Sequence, residues 1–329
     1  MERRALLKRI AFLGLGAALP LQMLIAKGNI TVAKNVKRPF HRFYLGELEL
    51  TVVTDGHIVI SPVQPFFAPN ANAAAVNGLL QDSFRSTKEV DLAINILAVR
   101  KGKQVMLIDT GAGFGMGTNS GWLPETLTDA GIQESEITGI VLTHAHPDHI
   151  GGLFKQDGTL IFPNAQVYLA KIEHQFWMSD NPDFSKSKFN NKEELNKVIV
   201  ATRKTISALG SRLHLFNHTE ELFGCIRLEL AAGHTPGHTL VKIYSGDEEL
   251  VHIADLLHSD VLLFPHPEWG FYGDTDFLLA VATRKKVMGA LAENKKKVFA
   301  YHLPWPGIGH VRKKGDAYEW VAETYAVPG

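Results

Sequence analysis

The sequence predicts an α/β protein built as one large domain, and three observations carry that reading. Short apolar runs with a period of two alternate with stretches of helical periodicity. No linker, repeat or low-complexity segment interrupts residues 40 to 325. Successive strand-like runs end in histidine and aspartate.

Composition narrows the function. A chain of 329 residues, 45% hydrophobic and 21% charged, can bury a sizeable core. Lys plus Arg and Asp plus Glu number 34 each, so there is no bulk positive field to hold nucleic acid, and no such partner is expected. The single cysteine, Cys225, excludes an intramolecular disulfide, and its apolar neighbours Phe223 and Ile226 predict a buried structural thiol.

At the N-terminus, Arg3-Arg4 and Lys8-Arg9 precede an apolar run over 10–26, the layout of an export signal of the twin-arginine kind. Pro20 and Gln22 interrupt the run, which argues against a membrane span. The expected division is an export signal over 1–27 and one folded domain over 28–329. The expected location is the periplasm or outside the cell, with no stable membrane insertion once the signal is removed; tethering by an uncleaved signal is the alternative.

The body opens with alternating runs at 43–46 and 48–54, with Asp55-Gly56 read as a turn before 57–60. Phe66-Phe67 then serves as core filler or pocket wall. Residues 93–100 and 104–108 form a second strand pair, followed at once by Asp109-Thr110-Gly111. Leu123-Pro124 opens a helix with Leu127 and Ile132 on its apolar side. The run 137–142 reads as a buried strand, and 165–169 as another. Phe176, Trp177, Met178, Phe184 and Phe189 then concentrate aromatic surface in a lid-like insertion, for packing or for a pocket. Residues 195–213 are helical by periodicity, 226–230 and 250–254 are strands, and 298–301 is taken as the last strand.

Three imidazoles and a carboxylate crowd into Thr143-His144-Ala145-His146-Pro147-Asp148-His149, directly after the strand at 137–142. A tight Pro-containing turn at a strand mouth lets His144 and His146 point one way and Asp148 and His149 another, so the segment can serve two cations. Imidazole and carboxylate without thiolate suit Zn²⁺ or a neighbouring first-row ion.

This stretch resembles the His-x-His-x-Asp-His signature of the metallo-β-lactamase superfamily, and further parts follow in order: Gly233-His234-Thr235-Pro236-Gly237-His238, Asp255, and His302. The resemblance implies a four-layer αβ/βα sandwich of two mixed β-sheets flanked by helices. It also implies two divalent metal ions, most simply Zn²⁺: His144, His146 and His234 around one, Asp148, His149 and His302 around the other, and Asp255 bridging both. Many members have Gly where this chain has Ala254. Asp109 is read as the acceptor that orients a ligand imidazole, and His238 as a packed neighbour rather than a ligand.

A water between two such ions loses its proton near neutral pH, and Asp148 or Asp255 can pass a proton to the leaving oxygen; the expected reaction is hydrolysis by a metal-bound hydroxide. Within the superfamily the chain resembles the N-acyl-homoserine lactonases and methyl parathion hydrolase, with His302 to His310 carrying much of that likeness. Several lactonases place a Tyr hydroxyl donor three residues after the bridging Asp, where this chain has His258. Its N–H is a candidate donor to the substrate carbonyl, against the alternative of a solvent-facing loop residue. Opening of N-acyl-homoserine lactones, a quorum-quenching activity, is therefore the expected function. Organophosphate triester or aryl ester hydrolysis is the alternative, and a non-catalytic metal-binding protein a distant one. Phe114, Trp177, His258 and Trp269 are the candidate pocket residues, and a homodimer is considered because of the aromatic lid.

Overall fold

The structure is a computed structural model that describes residues 37–325; the expected export segment, 1–27, lies outside them. The period-two runs form two seven-stranded sheets. The first is β1 (His41–Leu45), β2 (Leu48–Ile60), β3 (Val90–Lys101), β4 (Gln104–Ile108), β5 (Ile137–Val141), β6 (Gln166–Ala170) and β7 (Leu213–Phe216), adjacent in chain order. The second is β8 (Glu221–Leu222), β9 (Ile226–Leu230), β10 (Thr239–Ser245), β11 (Glu248–His252), β12 (Lys297–Phe299), β13 (Ile308–Lys314) and β14 (Ala317–Ala322), again in order. Both are mixed: β4 to β7 pair in parallel after an antiparallel start, and β11–β12 is a parallel pair in an otherwise antiparallel sheet.

Alternation along each strand splits the core in two. On β3, Leu97 and Val99 face the second sheet, where they meet Val241, Ile243 and Phe299. Ile94, Ile96 and Ala98 face outward. The helices are α1 (Val63–Phe66), α2 (Ala73–Asp82), α3 (Leu123–Asp129), α4 (Pro147–Ile150), α5 (Lys171–Met178), α6 (Lys192–Leu209) and α7 (Phe277–Glu293). Leu127, Trp177 and Ile206 bring α3, α5 and α6 onto the first sheet. Val76, Leu80, Met288 and Leu291 bring α2 and α7 onto the second. The result is the expected αβ/βα sandwich, with Cys225 buried between the sheets. Among the described residues, no helix is long and apolar enough to cross a membrane.

Two sequence expectations are corrected. Asp55-Gly56 is not a turn; β2 runs through it with a register shift between Thr54 and Gly56. The Asp55 carboxylate accepts the N–H groups of Ala112, Gly113, Gly121 and Leu123 at 2.9–3.1 Å, so this bulge anchors the 109–123 loop instead of reversing the chain. Nor are residues 298–301 the last strand, because the β13–β14 hairpin follows. Arg312, Lys313 and Lys314, three consecutive exposed charges on β13, hide its alternation.

Candidate metal centre

Parallel pairing decides where the loops emerge. β4 and β5 run together and deliver Asp109 and His144 at one end; β11 and β12 do the same for Asp255 and His302. The β9–β10 connection adds His234. These loops bring together two sets of ligand atoms, His144, His146, His234 and Asp255 in one and Asp148, His149, Asp255 and His302 in the other, each within 4.8 Å of one another. His146 Nδ1 lies 3.0 Å from His144 Nε2 and 2.9 Å from His234 Nε2. Asp255 Oδ1 faces His149 Nε2 at 3.0 Å, while its Oδ2 is 3.3 Å from His234 Nε2 and 3.4 Å from His302 Nε2. Tetrahedral ligands on bonds of about 2.1 Å are separated by about 3.4 Å, which is the spacing seen.

The partners on the far side of each ring decide which nitrogen faces inward as a lone pair. Asp109 Oδ2 takes the Nδ1 proton of His149 at 2.9 Å, and Asp274 Oδ1 that of His234 at 2.9 Å. The carbonyl of Ala93 takes that of His302 at 2.8 Å. Thr143 Oγ1 donates to Asp109 and so accepts from His144 Nδ1 at 3.1 Å. Four Nε2 lone pairs therefore converge on Asp255. Buried His149 Nε2 and Asp255 Oδ1 find no hydrogen-bond partner among the described residues. Inward lone pairs, orphaned polar atoms and a shared carboxylate fit metal ions, and the two groups form adjacent sites for two of them.

Without a cation, protons compete for the same lone pairs. Burial opposes protonation of His234 and His302, but Asp255 with Asp274 beside the first, and Asp255 with Asp148 beside the second, push both up to about 9. His146, buried and facing His234, is instead pushed down to about 3. Burial favours the neutral acid at Asp148, yet His149 and His302 hold that carboxyl below its ordinary range.

Support for the loops comes partly from residues the sequence reading missed. Glu173 is fully buried; Oε1 accepts from Ala145 N at 3.0 Å and Trp177 Nε1 at 2.7 Å, and Oε2 from Gly237 N at 2.8 Å. One carboxylate thus clasps the loop between His144 and His146 to the loop after His234. Gly237 permits this, since a Cβ there would lie 2.6 Å from Glu173 N; a Cβ on Gly152 would lie 1.9 Å from Thr110 O, where the Asp109 loop crosses the metal turn. Asp274 and Arg284, both buried, were also missed, because nothing in the local sequence marks them. Asp109 and Ala254 have φ of 63° and 45°, left-handed values stored beside the site.

A cavity of about 280 Å³ opens above the two groups, with His146, Asp148, His234, Asp255, His258 and His302 at its polar floor and apolar walls that include Ile58, Phe66, Trp177, Phe184 and Phe271. Trp177 lines it while bonded to Glu173. His258 is no solvent-facing residue: it is 2% exposed, stacks on Phe271 at 4.0 Å, and its Nε2 lies 3.1 Å from Asp255 Oδ2. A second cavity, about 240 Å³, meets the first at His258 and His302.

Phe114 and Trp269 are corrected. Phe114 sits 58% exposed on the 3-10 turn Gly113–Met116, where two positions along the turn face different sides, and Met116 reaches the cavity instead. Trp269 folds back to stack on His266 at 3.9 Å and packs against the core of the second sheet, leaving Phe271 and Tyr272 as the cavity wall.

Residues 90–324 match the family described as the metallo-beta-lactamase superfamily. No curated protein matches the chain. Among solved structures, AidC, a dizinc quorum-quenching lactonase in complex with the product N-hexanoyl-L-homoserine, is 42% identical with a TM-score of 0.86, over 89% of this chain and 100% of its own. AbOPH, a hydrolase in the beta lactamase superfamily, is 30% identical with a TM-score of 0.81, over 89% and 100%. A probable metal-dependent hydrolase from Staphylococcus aureus, 16% identical with a TM-score of 0.68 over 87% and 100%, shares the fold. With its paired His and Asp groups at the strand ends of an αβ/βα sandwich, this chain belongs to the metallo-β-lactamase superfamily.

Proposed function

We propose that the protein is a dizinc hydrolase that opens the ring of N-acyl-homoserine lactones. The observation that carries this reading is the placement of two adjoining ligand groups at the polar floor of an otherwise apolar cavity, a shape that suits a polar ring joined to an aliphatic chain. The 42% identity to a dizinc lactonase supports it. His144, His146 and His234 would hold one ion and Asp148, His149 and His302 the other, with Asp255 available to both.

Bound there, two divalent ions supply Lewis-acid polarisation and a water whose pKa falls from about 15.7 toward 7. The rest is the work of the protein. Opening the ring breaks the bond between the carbonyl carbon and the ring oxygen; the water's OH goes to that carbon and its proton to that oxygen. Asp148, held ionised and 17% exposed at the cavity floor, takes the proton and passes it on, with Asp255 beside it as the second carboxylate for this transfer. His258 is pushed down to about 4 by burial, so its imidazole is neutral, and its single ring proton sits on Nε2, which faces Asp255 Oδ2 at 3.1 Å. With Asp255 engaged by the ions, that Nε2–H would be released to donate to the carbonyl oxygen as negative charge develops there. Apolar walls exclude bulk water and hold the acyl chain.

A zinc-loaded preparation tested against homoserine lactones of several chain lengths, methyl parathion and nitrocefin is expected to turn over the lactones fastest. Faster turnover of methyl parathion would replace this reading with a phosphotriesterase. His258→Leu is expected to depress lactone turnover more than organophosphate turnover, and equal losses remove the donor role of His258. The Arg3-Arg4 segment and the apolar run after it support export to the periplasm; recovery of the full chain only in the cytoplasm, with an Arg3→Lys, Arg4→Lys variant distributed identically, would count against it.

A further inference from the structure

Helix α7 covers the second sheet, and in its middle lies Arg284, 1% exposed. A buried guanidinium is strongly unfavourable unless its donors are used, and these are directed to specific targets. Nε donates to Leu256 O at 2.7 Å, the carbonyl immediately after Asp255; Nη1 donates to Pro267 O at 3.1 Å; Nη2 donates to Asp274 Oδ2 at 3.2 Å. Asp274, itself fully buried, turns its other oxygen to His234 Nδ1 at 2.9 Å and also accepts Phe271 N at 3.2 Å. One planar fork therefore spans the backbone behind Asp255 and the carboxylate behind His234. Neither Arg284 nor Asp274 hydrogen-bonds to Asp148, His149 or His302, whose outer partners are Asp109 and the Ala93 carbonyl.

We propose that Arg284 and Asp274 are positioning residues that lock His234 and Asp255 together and set the retention of the metal ion held by His144, His146 and His234. This rests on the two-metal reading above. The rigid guanidinium fixes the two loops in register, and the carboxylate orients the His234 ring and strengthens its inward lone pair. Because the pair holds His234, which serves one ion only, by a direct hydrogen bond and reaches the shared Asp255 only through the Leu256 carbonyl, its loss acts unequally on the two ions.

The test follows metal content during graded chelation of the zinc-loaded full chain, with cobalt substitution reporting each site by its absorption. Wild type is expected to retain two equivalents. Asp274→Asn and Arg284→Lys are expected to lose one equivalent at chelator concentrations about 10–100-fold lower, with the second equivalent unmoved and one cobalt signature altered. Should these single variants not fold, the double variant Asp274→Asn, Arg284→Met, which leaves no lone buried charge, carries the same expectation. Variants that hold both equivalents as wild type does, whatever their thermal midpoint, or that weaken both equally, overturn the proposal. A wild-type protein that never holds two equivalents overturns the two-metal reading instead.

Discussion

The two ligand groups share Asp255 but are braced differently. Asp148, His149 and His302 are braced from the sheets: Asp109, at the end of β4, binds His149 and both the N–H and hydroxyl of Thr143, the Ala93 carbonyl of β3 accepts from His302, and the Tyr301 hydroxyl, just after β12, donates to Asp148 O. His146, His234 and their loops depend on the helices, through Glu173 on α5, Asp274 before α7 and Arg284 within it. Asp109 adjoins its strand and belongs to a readable motif. The helix-borne braces are assembled only when the helices pack onto the sheets. The group braced from the helices should therefore be the one that mutations outside the ligands disturb most.

The largest effect expected is from the shared residue. Asp255→Ala removes a ligand from both groups and the order between them, and should lower kcat/KM on the order of a thousandfold or more, with metal content falling below two equivalents by elemental analysis. Activity and metal retained together would mean that the groups act independently.

A matched pair sharpens the contrast. Glu173→Gln turns an amide NH₂ toward N–H donors that need an acceptor, and should weaken the ion held by His144, His146 and His234 by about 10–100-fold. Asp109→Asn should do the same for the ion held by His149. Stepwise chelation that releases the same equivalent first in both variants would erase the distinction.

Protonation affects the groups together. His234 and His302 are pushed up to about 9 in the metal-free protein, and His149 is also raised. An imidazole with a raised pKa adds stability that is complete below its ordinary value of about 6.5 and disappears as pH climbs through the raised one. Metal-free protein should thus lose thermal stability between pH 6.5 and 9, and metal binding should release protons over the same interval, measurable by calorimetry in buffers of different ionisation enthalpy. Stability flat across that range would contradict it.

The smallest effect concerns Ala254, whose left-handed φ of 45° disfavours a side chain. Ala254→Gly should raise stability by up to about 1 kcal/mol in urea unfolding, leaving metal stoichiometry unchanged. A loss of stability would show that the Ala254 methyl packs favourably enough to outweigh the strain.

The strand-end motifs were legible because each crowds several functions into a few residues: the His144 to His149 cluster, the His234 loop and the Asp109 turn all declare themselves locally. The β13–β14 hairpin escaped because the consecutive charges of Arg312, Lys313 and Lys314 mask alternation, and Asp55 was misread because a carboxylate that gathers four backbone N–H groups has the same neighbours in sequence as one in a turn. Phe114 and Trp269 were aromatic and nearby, yet which way a loop side chain turns depends on its anchors, here a 3-10 turn and a stack on His266.

By itself, the sequence determined the short apolar strands and the imidazole and carboxylate side chains at their ends, since periodicity and residue chemistry are local properties of the chain; the sandwich and the grouping of the ligands were what the resemblance of those motifs implied. Tertiary structure alone decided which nitrogen of each ring faces inward, which aromatic residues line the cavity, and that Glu173, Asp274 and Arg284 stand behind the ligands. Those outcomes depend on contacts between segments up to a hundred or more residues apart, such as His302 against Ala93, and such contacts exist only once both sheets and their helices have packed.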